Sequence, residues 1–201
     1  MDGIELMATA MRAAQARLDV SASNLANVSS AGFQKRVARA ALTSRGLVTS
    51  ARVDPTPGPL ERTGRTFDLA VAGGGHFFVR DASGGVVAER SASFVRNARG
   101  NLTDAAGRLL LSAQGPLAVS PDATIDARGS VRDRNGAEVG RVRLQPGTEL
   151  QSGFLERANV DAVREMVDVM GAQRAFETAE KTLAALDEAR QKDVNDVVRV
   201  K

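Results

Sequence analysis

Cysteine, tryptophan and tyrosine are all absent from this sequence of 201 residues. Without cysteine there is no disulfide, no thiolate ligand for zinc and no thiol nucleophile. Aromatic residues amount to 3%, all of them Phe. The stacking platforms that hold nucleic-acid bases therefore have little to be built from. His76 is the single histidine, which leaves neither a His-rich metal site nor a conventional Ser-His-Asp arrangement. No uncharged apolar run reaches the ~18 residues of a spanning helix. The N-terminus does not read as a cleavable signal. Asp2, Glu5, Arg12, Arg17 and Asp19 interrupt it, and the apolar stretch from Leu6 to Met11 is too short for a signal's hydrophobic region.

What is present is ordinary for a globular chain: 43% hydrophobic and 25% charged residues, in a length that suits one or two domains with a buried core. The net charge is +3. Arg supplies 23 of the basic residues and Lys only 4. Helix breakers divide the chain. All 6 Pro and 16 of the 19 Gly lie between positions 31 and 150. Pro costs about 3 kcal/mol inside a helix and Gly about 1, so long helices are expected at the ends and not in the middle. Charge divides likewise: −1 over residues 1–30, +6 over 31–150 and −2 over 151–201.

The N-terminal segment carries Ile4, Met7, Met11, Ala14, Leu18, Ser21, Leu25 and Val28 at alternating spacings of three and four, a heptad seam. Leu6, Ala10, Ala13 and Val20 form a second stripe. Asn27, Ser29, Ser30 and Gly32 supply the stop. In the C-terminal segment Asn159 is the expected N-cap, with Asp161 in the first turn. Ala162, Met166, Val169, Ala172, Phe176, Ala179, Leu183 and Leu186 follow at helical spacing, and Val194, Val197 and Val198 extend the apolar character. The two helices are expected to pair with each other.

The middle reads as short strands: 67–71, 77–80, 86–90, 94–96, 108–111, 117–119 and 139–144. The turn signals are Asp81–Gly85, Asn97–Gly100, Asp104–Gly107 and Asp133–Gly136, the last with an Asn-Gly pair that suggests a two-residue hairpin turn. Ala98-Arg-Gly with Gly107 recurs as Ala127-Arg-Gly with Gly136, an offset of 29. Residues 33–62 read as a loose connector stiffened by Pro55, Pro57 and Pro59. The expected fold is α+β: 1–32 and 150–201 as long helices paired in a coiled-coil-like inner domain, 33–62 as connector and 63–149 as an all-β domain.

No reaction is expected, and no cofactor, metal or small-molecule substrate. Gly73-Gly-Gly75 lacks the Gly-Lys-Ser/Thr of a phosphate loop and precedes a strand. Asp161, Glu165 and Asp168 share a helix face and read as a solvated face or as inter-subunit ion pairing. Pairing the two ends leaves the Leu6 stripe and the end of the longer helix uncovered. Exposed apolar patches mark interaction sites, and contacts between copies that do not close into a ring propagate as a filament. A basic β domain that attaches to an acidic polymer or cell-wall component is the alternative.

Ser23-Asn-Leu-Ala-Asn27 followed by Gly32-Phe33 resembles the N-terminal signature of bacterial flagellar rod and hook proteins. Gly153-Phe-Leu-Glu156, Asn159-Val-Asp161, Glu165-Met-Val167 and Gln173-Arg-Ala-Phe176 resemble the family's C-terminal signature. Asp68-Leu-Ala-Val71 with Gly73, Gly75 and Phe77 resembles its central β domain. Pro57-Gly-Pro-Leu60 and Gly140-Arg-Val-Arg-Leu144 are most similar to the proximal rod subunit, with the distal one next. The resemblance implies an axial subunit of the basal body, exported by the flagellar type III pathway and polymerising into the shaft that transmits torque and encloses the export channel. Its partners would be copies of itself, other rod proteins on the hook and export-base sides, and the surrounding rings. Nucleic acid is not among them. By resemblance Asn24, Leu25, Asn27 and Phe33 sit at the junction of helix and connector. Met166, Val169 and Phe176 pack in the inner tube.

Overall fold

The computed structural model describes residues 3–43 and 46–199; the side chains of 42, 43, 46, 47 and 193–199 lie outside the description. Two helices bracket sixteen short strands: α1 (Gly3–Ala26), β1 (Arg36–Thr43), β2 (Gly46–Val53), β3 (Leu60–Arg62), β4 (Asp68–Ala72), β5 (Phe77–Arg80), β6 (Val86–Glu89), β7 (Ser91–Ser93), β8 (Val95–Arg96), β9 (Leu102–Thr103), β10 (Leu109–Ser112), β11 (Gly115–Pro116), β12 (Thr124–Ile125), β13 (Ser130–Arg132), β14 (Glu138–Arg141), β15 (Glu149–Ser152), β16 (Phe154–Glu156) and α2 (Ala162–Arg199). They fall into two compact units. A helical unit holds residues 1–28, 35–54 and 160–201, and a β unit holds 29–34 and 55–159.

In the helical unit α1 and α2 run antiparallel. Gly3 lies opposite Leu186, while Asn24 bonds to Glu165. Beyond Leu186 the backbone of α2 continues to Arg199, about 20 Å at 1.5 Å per residue. The expected extension through Val194, Val197 and Val198 falls on side chains outside the described residues.

The fold is α+β, but the coiled-coil-like pairing is corrected. Such pairing needs large apolar knobs buried along a continuous seam. Among the described residues the buried apolar side chains of the helices are Ala14, Ala172 and Ala179, joined by buried Ser21, Asn24 and Glu165. Ile4, Met7, Met11, Leu18 and Leu25 on α1 and Val28 just beyond it are only half-buried, as are Val169, Phe176, Leu183 and Leu186 on α2. Small side chains bring the backbones close and leave the large ones at the margins of the contact.

The loose connector is replaced by a hairpin. β1 and β2 pair antiparallel from Arg36↔Val53 to Thr43↔Gly46 and belong to the helical unit. Helix-length apolar periodicity is absent there, and alternation is weak because Ala and Arg fill nearly half of the positions; the segment therefore reads as a connector.

The β unit contains the large core. Leu69, Val71, Phe77, Val79, Leu102, Leu110, Val131 and Leu150 are each at most 1% exposed. Phe77 and Phe94 meet edge to face at 5.9 Å. β5 alternates buried Phe77 and Val79 with half-buried Phe78 and Arg80, the two-residue period of a strand with one face on the core. The sheet orders are β6-β5-β10-β9-β8 with β11 beside β10, then β12-β13-β14, β15-β4-β7 and β16-β3. Strand 77–80 appears as expected. The expected strand 117–119 is an irregular edge with one bridge from Ala118 to Asn101. Short strands such as β7, β12 and β16 escaped the sequence because two or three residues carry no readable period.

One turn recurs five times, beginning at Asp81, Asn97, Asp104, Asp126 and Asp133. In each the side-chain oxygen accepts the N–H four residues on. The glycine three residues on takes a positive φ between 76° and 87°. This corrects the Asn-Gly reading: among the described residues no non-glycine adopts positive φ, so Asn135 does not enter the two-residue turn that demands it. The chain instead turns over Asp133–Ala137, closed by the Asp133 N–H to the Ala137 carbonyl at 2.9 Å.

Candidate functional site

Two polar junctions, one in each unit, hold the residues that the motifs single out. In the helical unit Asn24 is 1% exposed. Its Nδ2 donates to the Arg36 carbonyl at 2.8 Å and to Glu165 Oε1 at 3.1 Å. Its Oδ1 accepts from the Arg36 N–H at 2.8 Å. One side-chain amide thus acts as a strand partner for the start of β1 and ties α1 to α2. An unpaired amide in that position would cost about 1–3 kcal/mol. Glu165 is buried, which corrects the solvated face expected of Asp161, Glu165 and Asp168. Arg17 and Arg36 line a cleft of about 170 Å³ together with Glu165 and Asp168.

The N-cap of α2 is Asp161, not Asn159. Asp161 Oδ1 accepts the N–H groups of Val163 and Arg164 at 3.0 and 3.2 Å. Asn159 instead belongs to the β unit, where its Nδ2 donates to the Thr56 carbonyl at 2.7 Å and its N–H to the Phe33 carbonyl at 3.3 Å. Asn27 donates to the Ser23 carbonyl at 2.9 Å, satisfying one of the open carbonyls at the end of α1.

In the β unit the junction is ionic. Arg90 and Glu156 are 4% and 1% exposed. Arg90 Nε lies 3.1 and 3.0 Å from the two carboxylate oxygens of Glu156, and its Nη2 donates to Oε2 at 2.8 Å. The same guanidinium donates to the carbonyls of Gly73 and Gly75. Glu156 also accepts the Gly58 N–H at 2.9 Å. Its backbone accepts Gly32 N–H at 2.7 Å and donates to Ser91 Oγ at 2.8 Å. Both charges are therefore paired and hydrogen-bonded, the condition under which burial is tolerable. Side chains are excluded around it: a Cβ on Gly58 would lie 1.9 Å from the Arg157 carbonyl oxygen, and Gly32 has φ 69° with its Cβ position 2.9 Å from the Ser91 nitrogen.

This junction gathers Gly32, Gly58, Gly73, Gly75 and Glu156, scattered over the motifs. Sequence reasoning missed Arg90 as their centre. The available signal was an Arg beside Ser91-Ala-Ser-Phe94, a small and apolar run with no acidic neighbour other than Glu89.

Asp68 is also buried, at 1% exposure, and pairs with Arg65 at 2.9 Å. Burial pushes its carboxyl up, but hydrogen bonds from Thr63, Ser93 and Arg65 and the Arg65 charge outweigh that and hold it below the ordinary value. His76 Nδ1 lies 3.2 Å from Gln145 Oε1. Among the described residues no three His, Asp or Glu side chains cluster as metal ligands, and no helix is long and apolar enough to cross a membrane.

Met166 sits outside the α1–α2 contact, at 51% exposure. With Val163, Val167 and Met170, exposed at 72%, 57% and 49%, it forms a stripe at i, i+3, i+4 and i+7. Leu6 on α1 is 51% exposed. Thirty-one N-terminal residues, 4–34, match the model described as "Flagella basal body rod protein". Residues 151–197 match "Flagellar basal body rod FlgEFG protein C-terminal". The chain is 31% identical to the flagellar basal-body rod protein FlgF of Escherichia coli (strain K12), over 90% of this chain and 93% of that protein. It is 28% identical to the flagellar basal-body rod protein FlgG of Agrobacterium fabrum, over 94% and 96% of the two chains. The flagellar hook protein FlgE of Rhizobium meliloti is 28% identical over 71% of this chain and 39% of its own.

Proposed function

This chain belongs to the flagellar basal-body rod protein family, and we propose that it assembles through its terminal helices into the axial shaft. The relatives are structural rod proteins and span nearly the whole chain. The carrying observation is the uncovered apolar stripe Val163, Met166, Val167 and Met170 on α2, with Leu6 on α1. Burying each such side chain contributes roughly 1.5–3 kcal/mol. In an assembly that surface is covered by neighbouring subunits, and the half-buried Met7, Met11, Leu18, Phe176, Leu183 and Leu186 become the core of a tube wall.

In this reading residues 1–32 and 150–201 form the assembling part, and residues 63–149 form the β domain. The neighbours are copies of this chain and other axial proteins of the flagellum, with the surrounding rings as further contacts. The subunit resides in the basal body and leaves the cell by the flagellar type III pathway. A proximal position is supported by the short segment between Phe33 and the β domain.

Sedimentation velocity of the full chain over a wide concentration range tests this. Growing oligomers are expected, and Met166→Glu with Met170→Glu is expected to abolish them. A full chain that stays monomeric at every concentration, with its helices folded, refutes assembly through this face.

A further inference from the structure

A second surface in the β unit has no role in the rod reading. Arg128, Arg141 and Arg143 line one open groove of about 380 Å³, beside Leu144, Pro146 and Gly147. No carboxylate lines it. The arrangement is built by the fold. The turn at Asp126 packs against the 142–144 segment, with Val142 N–H bonded to the Gly129 carbonyl at 2.8 Å. A Cβ on Gly129 would meet Val142 and Leu144 at 3.3 and 3.1 Å. That close approach carries Arg128 to the edge of β14. The Arg143 guanidinium lies 4.9 Å from the Phe78 ring centre, which holds it in place without neutralising it.

Charge around the groove is unbalanced. Arg141 pairs with Glu138 at 3.0 Å, in an exposed contact. Arg128 and Arg143 have no carboxylate partner among the described residues. The Asp126 carboxylate accepts the N–H groups of Arg128 and Ser130 at 2.9 Å each. Gathering like charges in one groove is unfavourable unless an anion sits among them, and the planar Arg fork matches a carboxylate in two-point geometry.

We propose that the Arg128–Arg141–Arg143 groove is a docking site for an acidic segment of a partner protein, with Asp or Glu carboxylates on the arginines and an apolar side chain on Leu144 and Pro146. The apolar floor beside the charges favours a peptide over a uniformly polar polyanion. Among the described residues no aromatic ring lines the groove for nucleic-acid bases to stack on. The site is separate from the helical face, so it stands or falls independently of the rod assignment.

The chain contains its own control. Residues 97–107 repeat the pattern of 126–136, which places Arg99 at the same position of the same turn as Arg128. Arg99 does not line the groove. The test is fluorescence anisotropy of a labelled hexapeptide of alternating Glu and Leu, titrated with the full chain at low and physiological salt. Saturable binding that weakens with salt is expected. Arg128→Gln and Arg143→Gln are each expected to weaken it about tenfold, with Arg99→Gln unchanged and circular dichroism identical for all. Equal loss on Arg99→Gln means diffuse attraction and overturns the site. So does the absence of saturable binding. Tighter binding of a polyuronate glycan than of the peptide overturns the choice of a protein partner.

Discussion

The two units solve the problem of burial in opposite ways. The β unit closes a core of Leu, Val and Phe side chains and seals its base with a paired Arg90–Glu156. Among its described residues the helical unit buries three alanines and three polar side chains, and keeps its large apolar residues half-buried or exposed. A unit whose apolar surface is covered stands alone. A unit whose apolar surface remains on show is finished by something else. The contrast supports the proposed reading, in which neighbouring subunits cover the helical face.

Removing the seal of the β unit is the strongest way to break that contrast. Glu156→Ala leaves the Arg90 charge buried without its partner and is expected to destabilise the β unit by about 3–5 kcal/mol. Urea denaturation followed by circular dichroism measures it; a loss under about 1 kcal/mol, as found for exposed pairs, would mean the pair is solvated. Next comes a matched pair of truncations. Leu110→Ala, in the closed core, should cost about 2–5 kcal/mol. Leu18→Ala, in the half-open helical unit, should cost clearly less by the same denaturation, and equal losses would erase the distinction.

The Asn24 junction lies between these extremes. Asn24→Ala should cost about 1–3 kcal/mol and speed amide exchange across β1 and β2, whose first residue Arg36 it holds at both backbone groups. Unchanged exchange in the hairpin would show that Asn24 does not anchor it. A smaller effect is confined to acid. The folded value for Asp68 lies below its ordinary 3.8, so the ionised form stabilises the β unit above that pH, and the contribution is lost as pH falls through the lowered value. The stability gap between the natural chain and Asp68→Asn should therefore narrow as pH drops from 5 toward about 3; a constant gap would rule the linkage out. Smallest of all is Met166→Ser. In the isolated chain it should change stability by no more than about 0.5 kcal/mol, because Met166 touches little there.

Much of this organisation is readable without coordinates. Pro and Gly are confined to the middle, so the helices fall at the ends and the strands between. Asx-to-Gly spacing marks four of the five turns, because a side-chain oxygen and a positive φ are chemical demands that few residues meet. The hairpin 36–53 was read as a connector, since its Ala- and Arg-rich strands show neither period. Asn159 and Asp161 are both good capping residues, and only the helix start at Ala162 decides between them.

By itself the sequence determined the class of the fold, the family motifs and the poverty of catalytic residues, because composition and short-range spacing act locally. Tertiary structure alone decided which charges are buried. Arg90 and Glu156 are 66 residues apart, Asn24 and Glu165 are 141, and nothing in their local surroundings selects one partner over another. It also decided that Met166 faces out while Glu165 faces in. A rotation of one residue about the helix axis, about 100° in a helix of 3.6 residues per turn, exchanges the two. The small alanines that set the approach of α1 to α2 and the Asn24–Glu165 hydrogen bond fix that rotation.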